Sequence, residues 1–315
     1  MKLFLPFLFL IILVSCQKNE YVFIPDQTFV INKDLLIAAM VGKPTSYLIH
    51  LSADNTVFTG YAPAVIEIPS EALMDSKGNI VSGEIKLEVK EYTSTKSALI
   101  QCPSSEYEMK PIDSDRLVYL KFSQNGEDLF PIKKVSVYIQ DENVINDPNL
   151  LVGSLTDNRV TWSKISESLS NISVGTWTIS TGETQRTISG YKLEVKGSPR
   201  WISISDKPNN LNPTVHKLNV KANQEQNSKN TLAFFVADEK NIMMQLTWNE
   251  SKSNFGLTTN TQNKNIAGKI LIISQLGDNY FEFGMTNAVL GVDTDITVLS
   301  SKKDIKEIKS ILNSI

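Results

Sequence analysis

The chain has 315 residues, 41% of them apolar and 21% charged, with 31 basic against 34 acidic side chains and a net charge of −3. That length buries a sizeable core and predicts about two domains. Near-cancelling charge gives no electrostatic case for nucleic acid; two cysteines and two histidines exclude a disulfide framework and a multi-histidine metal centre.

The opening MKLFLPFLFLIILVSC carries one positive charge, Lys2, and then an apolar run over residues 3–14. Twelve helical residues reach only about 18 Å against the roughly 30 Å of a bilayer's hydrocarbon, so the run predicts a signal h-region rather than a span. Leu13-Val14-Ser15-Cys16 follows it directly and resembles a bacterial lipobox. The resemblance implies cleavage after Ser15, a thioether-linked diacylglyceryl group on Cys16, and N-acylation (palmitate-type) of the new terminus. More than one acyl chain gives stable anchoring, so the expected partner at this end is the membrane. Gln17-Lys18-Asn19-Glu20 resembles the short polar signal that directs some Bacteroidota lipoproteins to the outer face of the outer membrane. A plain tether is the alternative reading of those residues. No later stretch approaches 18 apolar residues, so the rest of the chain is expected to be anchored without spanning.

INKDLLIAAMV, residues 31–41, fits either a helix with Leu35, Leu36 and Ala39 on one face, starting near Asn32 or Asp34, or a strand after a turn. Residues 47–51 read as a strand and 53–55 as its turn; residues 65–68 read as another strand, closed by Pro69. Gly78 suits a positive φ, and Gly83 suits a bulge or bend. Residues 82–91 then alternate strictly, with Ile85, Leu87 and Val89 opposite Glu84, Lys86, Glu88 and Lys90. Asn125-Gly126 after residues 117–122 is a hairpin signal. Strands follow around 135–139, 159–162, 175–180 and 190–196.

A break is expected around 206–213, after which residues 215–220, 232–236, 243–248, 270–273, 280–283 and 295–299 read as strands. Residues 221–230, polar apart from one Ala, read as a mobile hairpin tip, and 249–265 as a long loop interrupted by Phe255-Gly256-Leu257. Near the end, Ser301 is the expected N-cap, with Asp304 at N3, of an amphipathic helix over 302–312 whose stripe is Ile305, Ile308, Ile311 and Leu312. The expected fold is therefore all-β: antiparallel β-sandwich units with a short C-terminal helix. The expected organisation is a signal peptide at 1–15, a tether and N-terminal segment at 16–44, a β-sandwich at 45–197 and a second β domain at 198–315.

The segment IEIPSEALMDSKGNIVSGEI, residues 66–85, resembles a recurrent IPxxAF-D-GNPVTGEV pattern of Bacteroidota outer-membrane lipoproteins, which is similar to a ZU5-type β domain. Residues 87–92 continue the likeness, Leu120-Lys121-Phe122-Ser123-Gln124-Asn125-Gly126 matches a later part, and Trp201-Ile202 resembles a further one. The resemblance covers about the middle half of the chain. It implies an all-β extracytoplasmic lipoprotein and no reaction, because ZU5-like domains mostly serve structure or protein contact.

Chemistry-bearing patterns are few. GxSxG is absent, and His50 and His216 sit in strand-like text, so no catalytic residue is expected. Cys102 precedes Pro103 with no neighbouring histidine and reads as a buried thiol. Asp141, Glu142, Asp293 and Asp295 lack an EF-hand frame, so no metal is expected. Phosphate-binding loops and basic clusters interleaved with aromatics are missing, so neither nucleotide nor nucleic acid is expected, and no cofactor. Trp162, Trp177, Trp201 and Trp248 are the candidate platforms for a glycan, although a tryptophan in a sandwich is more often core. The expectation is a lipid-anchored, non-catalytic module of the outer membrane, at the cell surface or in the periplasm, contacting a protein or a glycan. The alternatives are a polysaccharide-acting enzyme with paired carboxylates and a purely structural envelope component.

Overall fold

The computed structural model describes residues 33–40, 44–59, 64–93, 106–156, 159–164, 169–181, 184–197, 200–206, 214–223, 225–261 and 265–315. Ser15, Cys16 and Cys102 lie outside them. Residues 31–315 form one compact unit, a predominantly antiparallel β structure with a short C-terminal helix.

Sheet I runs in the order Thr45–Leu51, Gly83–Tyr92, Ser114–Gln124, Trp201–Ser205, Asn149–Thr156, Arg159–Lys164, with Glu127–Pro131 and Leu73–Met74 joined beside the third of these. Sheet II runs Ser170–Thr181, Thr184–Val195, Val135–Gln140, Val65–Ile68, Thr56–Thr59. The alternation of residues 82–91 places Ile85, Leu87 and Val89 in one core with Val118, Leu120 and Phe122 of sheet I and with Ile66, Val137 and Leu193 of sheet II. Burying each such side chain fully contributes about 1.5–3 kcal/mol, so the period-2 pattern sets which face turns inward. The hairpin at Asn125-Gly126 is present with both residues at positive φ, 52° and 84°, the backbone a two-residue turn needs. Gly78 and Gly83 also take positive φ, 89° and 83°.

Sheet III runs Thr247–Asn249, Asn254–Thr261, Thr214–Lys221, Asp295–Thr297, the last pairing parallel to its neighbour. Sheet IV runs Met243–Gln245, Thr231–Ala237, Ile266–Gly277, Tyr280–Leu290, Ser300–Lys303. Leu218, Val220, Phe255 and Leu257 of sheet III share a core with Phe235, Ile270 and Ile272 of sheet IV. The opposite face of sheet IV presents Leu232, Phe234, Val236, Leu271 and Ile273 to two helices, α1 (Lys33–Met40) and α2 (Ile305–Asn313). Covered on both faces, sheet IV reads as continuous apolar text, TLAFFVA and ILII, where half-exposed strands alternate.

Several expectations are corrected. Of the two readings of residues 31–41, the helix holds over Lys33–Met40, and α1 buries Leu36 and Met40 against α2 and sheet IV, so part of the expected tether and N-terminal segment belongs to the C-terminal core. Trp201–Ser205 pairs with Ser114–Gln124 and Asn149–Thr156, so the first sheet system extends beyond the boundary expected at 197/198. Residues 254–261 are a strand, whose Phe255, Leu257, Thr259 and Thr261 face inward in alternation. The expected mobile tip at 221–230 is packed: Gln226 and Asn230 are each only 2% exposed, because their amides have partners inside the protein. Asn223 and Gln226 donate to Glu282 Oε2 at 3.1 and 3.0 Å, and Ser300 Oγ donates to the same oxygen at 2.7 Å. The N-cap of α2 is Asp304, whose side chain accepts from the Lys306 amide at 2.7 Å. Ser301 cannot cap because residues 300–303 are committed to a ladder with Tyr280–Leu290. The helical stripe is as expected, with Ile308 and Leu312 buried.

Candidate functional site

The four candidate tryptophans separate into three environments. Trp201 is 5% exposed and lies between Tyr92 and Tyr119, at ring-centroid distances of 6.0 and 5.2 Å. It is core and offers no platform. Trp177 stands on sheet II against Tyr138, edge to face at 5.8 Å, beside a shallow groove of about 850 Å³ that also includes Asp54, Asn55 and Glu67. Tyr138 Oη donates to Glu67 Oε2 at 2.9 Å and Asn55 Nδ2 donates to Glu67 Oε1 at 3.3 Å, so these three polar groups satisfy one another.

Trp162 and Trp248, one from each half of the chain, meet on a single groove of about 840 Å³. Trp162 lies on the edge strand of sheet I, Arg159–Lys164, and Trp248 on the edge strand of sheet III, Thr247–Asn249. Trp162 leans over Gly153, its cross-strand partner; a Cβ there would fall 3.0 Å from the Trp162 ring and 2.8 Å from Trp201 Cβ. That close approach holds Trp162, 4% exposed, in the same aromatic cluster as Trp201, so it borders the groove as core and Trp248 is the tryptophan with ring surface there. Trp248 is half-buried and braced edge to face on Phe255 at 5.0 Å.

The wall between them is the hairpin Glu106–Tyr107 with Lys110–Pro111. Its turn residues Glu108 and Met109 have φ of 51° and 61°, a left-handed pair that costs side chains strain and persists only where neighbours fix it. Those neighbours are on sheet III: the Met109 carbonyl accepts from the Asn260 amide at 2.6 Å and from Thr259 Oγ1 at 2.9 Å. A second tie nearby joins the halves, the Asn241 amide donating to Asp113 Oδ1 at 2.9 Å.

Two buried polar atoms at this groove have no hydrogen-bond partner among the described residues, Gln245 Oε1 and Trp248 Nε1. Gln245 is 6% exposed. An unmet buried donor or acceptor costs about 1–3 kcal/mol, so such groups are retained where something else meets them or where function needs them. One is an acceptor and the other a donor, beside hydroxyls of Thr161, Thr247 and Thr258. What the groove offers a ligand is the half-buried Trp248 ring and these threonine side chains.

Two carboxylates with raised pKa, Glu91 and Asp115, lie elsewhere. Glu91, Asp115 and Asp141 gather with Arg116 and Tyr191 at one end of the core between sheets I and II. Arg116 Nε donates to Asp141 Oδ2 at 2.7 Å, Tyr191 Oη donates to Asp115 Oδ2 at 3.1 Å, and the Ile145 amide donates to Tyr191 Oη at 2.6 Å. Burial pushes the Glu91 carboxyl up to about 6 against the pull of Arg116, and burial with the nearby Asp141 raises Asp115. None of these three acids lines either groove described above. His50 is exposed on sheet I and His216 buried on sheet III, so the histidines do not converge. Among the described residues no group of three His, Cys, Asp or Glu is placed to hold a metal ion, and no helix is long and apolar enough to cross a membrane.

The Trp162–Trp248 pairing was legible only as a list of tryptophans, since their 86-residue separation carries no local signal. Gln245, Glu106 and Glu108 carry no local sequence signal beyond one hint, the polar Gln245 inside the apolar run IMMQL. Comparison with family models, with curated proteins and with solved structures finds no match for the chain.

Proposed function

We propose that this chain is a lipid-anchored envelope protein, attached through Cys16 after cleavage at Ser15 and placed in the outer membrane. In this reading it works as a non-catalytic glycan-binding module built as two β-sandwiches, sheets I with II and III with IV. Its binding site is the groove between Trp162 and Trp248. The observation that carries the reading is the half-buried Trp248 lining a groove that Trp162 borders, next to two buried polar atoms without a partner among the described residues, Gln245 Oε1 and Trp248 Nε1. A pyranose presents an apolar face to an aromatic ring while its hydroxyls donate and accept at the rim. The sandwich reading is supported by the shared cores of the two sheet pairs, and the anchoring by the leader's resemblance to a lipobox.

Isothermal titration against neutral oligosaccharides, with gluco-, manno-, galacto- and N-acetylglucosamine hexamers as probes, tests the binding site. Binding by wild type, weakened by about tenfold or more in Trp248→Ala while the thermal midpoint of the variant stays close to wild type, is the expected result. Absence of binding to every hexamer, with a protein captured from solubilised envelopes through the same tryptophan, would replace the glycan by a protein partner. Anchoring is tested separately: palmitate-analogue labelling of wild type and its loss in Cys16→Ser is expected, and an unlabelled wild type would overturn it.

A further inference from the structure

We infer that Ser170–Thr181, the outer strand of sheet II, is a self-association edge, on which a second copy of this chain adds its own Ser170–Thr181 as an antiparallel strand. Among the described residues its only strand partner is Thr184–Val195, and the two pair from Ser170 with Val195 to Thr181 with Thr184 without a register shift. In an antiparallel pair every second residue turns its N–H and C=O away from the partner, so half of this strand's backbone groups face its free edge. Asn171, Ser173, Val174, Thr176, Thr178 and Ser180 are exposed, and Thr176–Ser180 also border the open groove beside Trp177. An unpaired edge is a template for another chain, and proteins blunt such edges with short strands, lysines, prolines or bulges. The other end strands of sheets I to IV are blunted by length, running only three to seven residues. Ser300–Lys303 adds two lysines, and Arg159–Lys164 has a charge at each end. Ser170–Thr181 has 12 residues, SNISVGTWTIST, with no charge, no proline and no bulge.

A second copy is the occupant because the edge complements itself. Antiparallel pairing about a twofold axis sets the strand against its own equivalent, an isologous contact that closes at the dimer. No charged side chain lies in the strand, so no like charges are opposed, and hydroxyl and β-branched side chains pair favourably across strands. Val174 is 44% exposed and Leu169, just before the strand, 39%, apolar surface beside the same edge. The strand is also held in shape before it pairs. Trp177 lies over Gly175, where a Cβ would fall 3.3 Å from the indole ring, and the Thr176 and Ser189 hydroxyls are hydrogen-bonded across the hairpin at 2.9 Å. A strand of 12 residues at about 3.3 Å each, in a layer about 10 Å thick, buries about 400 Å² per copy. That is about half of a standard interface, so the dimer is a weak one that depends on concentration. None of these residues lines the Trp162–Trp248 groove, so the edge and the glycan reading stand independently.

The test follows the full chain, solubilised in a nonionic detergent, by light scattering after size exclusion over about 1–200 μM, with amide exchange measured at both ends of the range. Wild type is expected to pass from monomer to dimer, and exchange within 170–181 to slow at the high concentration. Val174→Lys with Thr176→Lys sets like charges against each other at the twofold axis. It is expected to raise the dissociation constant by about tenfold or more, with the thermal midpoint close to wild type. Leu48→Lys, on the next-longest edge strand and at a residue 70% exposed, is expected to leave the constant within about twofold. A wild type that stays monomeric throughout, a dimer unchanged in the double variant, or one lost in Leu48→Lys would overturn the proposal. Where the double variant melts early, the wild-type exchange pattern decides: a dimer without slowing within 170–181 overturns it as well.

Discussion

The two halves of the molecule bury carboxylates by different means. In the C-terminal half Glu282 is 8% exposed, and its Oε2 accepts from Asn223, Gln226 and Ser300. In the N-terminal half Glu91 Oε2 is buried with no partner among the described residues, and its carboxyl is pushed up to about 6. Taking a carboxylate out of water costs several kcal/mol unless it is bonded or protonated. Donors meet that cost at Glu282, whereas at Glu91 a shifted proton equilibrium does so. The halves differ in cover as well: sheet IV has a core on one face and two helices on the other, while sheet I is covered on its outer face by an aromatic cluster around Trp201.

The largest effects should come from breaking the double cover of sheet IV. Phe234→Ala is expected to cost about 3–5 kcal/mol in urea unfolding, because Phe234 faces the helices from a fully buried position. Leu36→Ala should cost about 2–5 kcal/mol although Leu36 lies within the segment expected to be tether; a loss below about 0.5 kcal/mol would detach α1 from the C-terminal core. Glu282→Ala should cost about 1–3 kcal/mol by removing the acceptor that Asn223, Gln226 and Ser300 share, and faster amide exchange across 222–230 would accompany it.

Glu91→Gln should act in the opposite direction. Its folded pKa, about 6, lies above the ordinary value of 4.5, so the folded chain holds the proton more tightly than the unfolded chain. The stability contributed by this group is full below about pH 4.5 and is lost as pH rises through about 6. Gln mimics the protonated form, so the variant should exceed wild type by about 1–2 kcal/mol near pH 7.5 and match it near pH 4.5. A pH-independent difference would contradict the assignment. The smallest effect is expected at the cap of α2, where Asp304→Ala should cost about 1 kcal/mol and Ser301→Ala nearly nothing, read by thermal melts.

What the sequence determined by itself is the local grammar. Alternation over 82–91 specified a strand and its inner face, Asn125-Gly126 specified a turn, and the Ile308–Leu312 spacing specified a helical stripe, because each depends on neighbours only a few residues away. Polarity misled at 221–230, since amides that look solvent-bound in the text are satisfied by Glu282 and Ser300, some 56–77 residues away. It misled again at Ser301, where ladder pairing with Tyr280–Leu290 took the backbone that a cap would have used. The pairing of Trp162 with Trp248, the carboxylate-bearing wall at 106–111 and the docking of α1 on α2 were decided only by tertiary structure. Each joins residues far apart in the chain, and only the packing of whole sheet faces and edges brings such residues together.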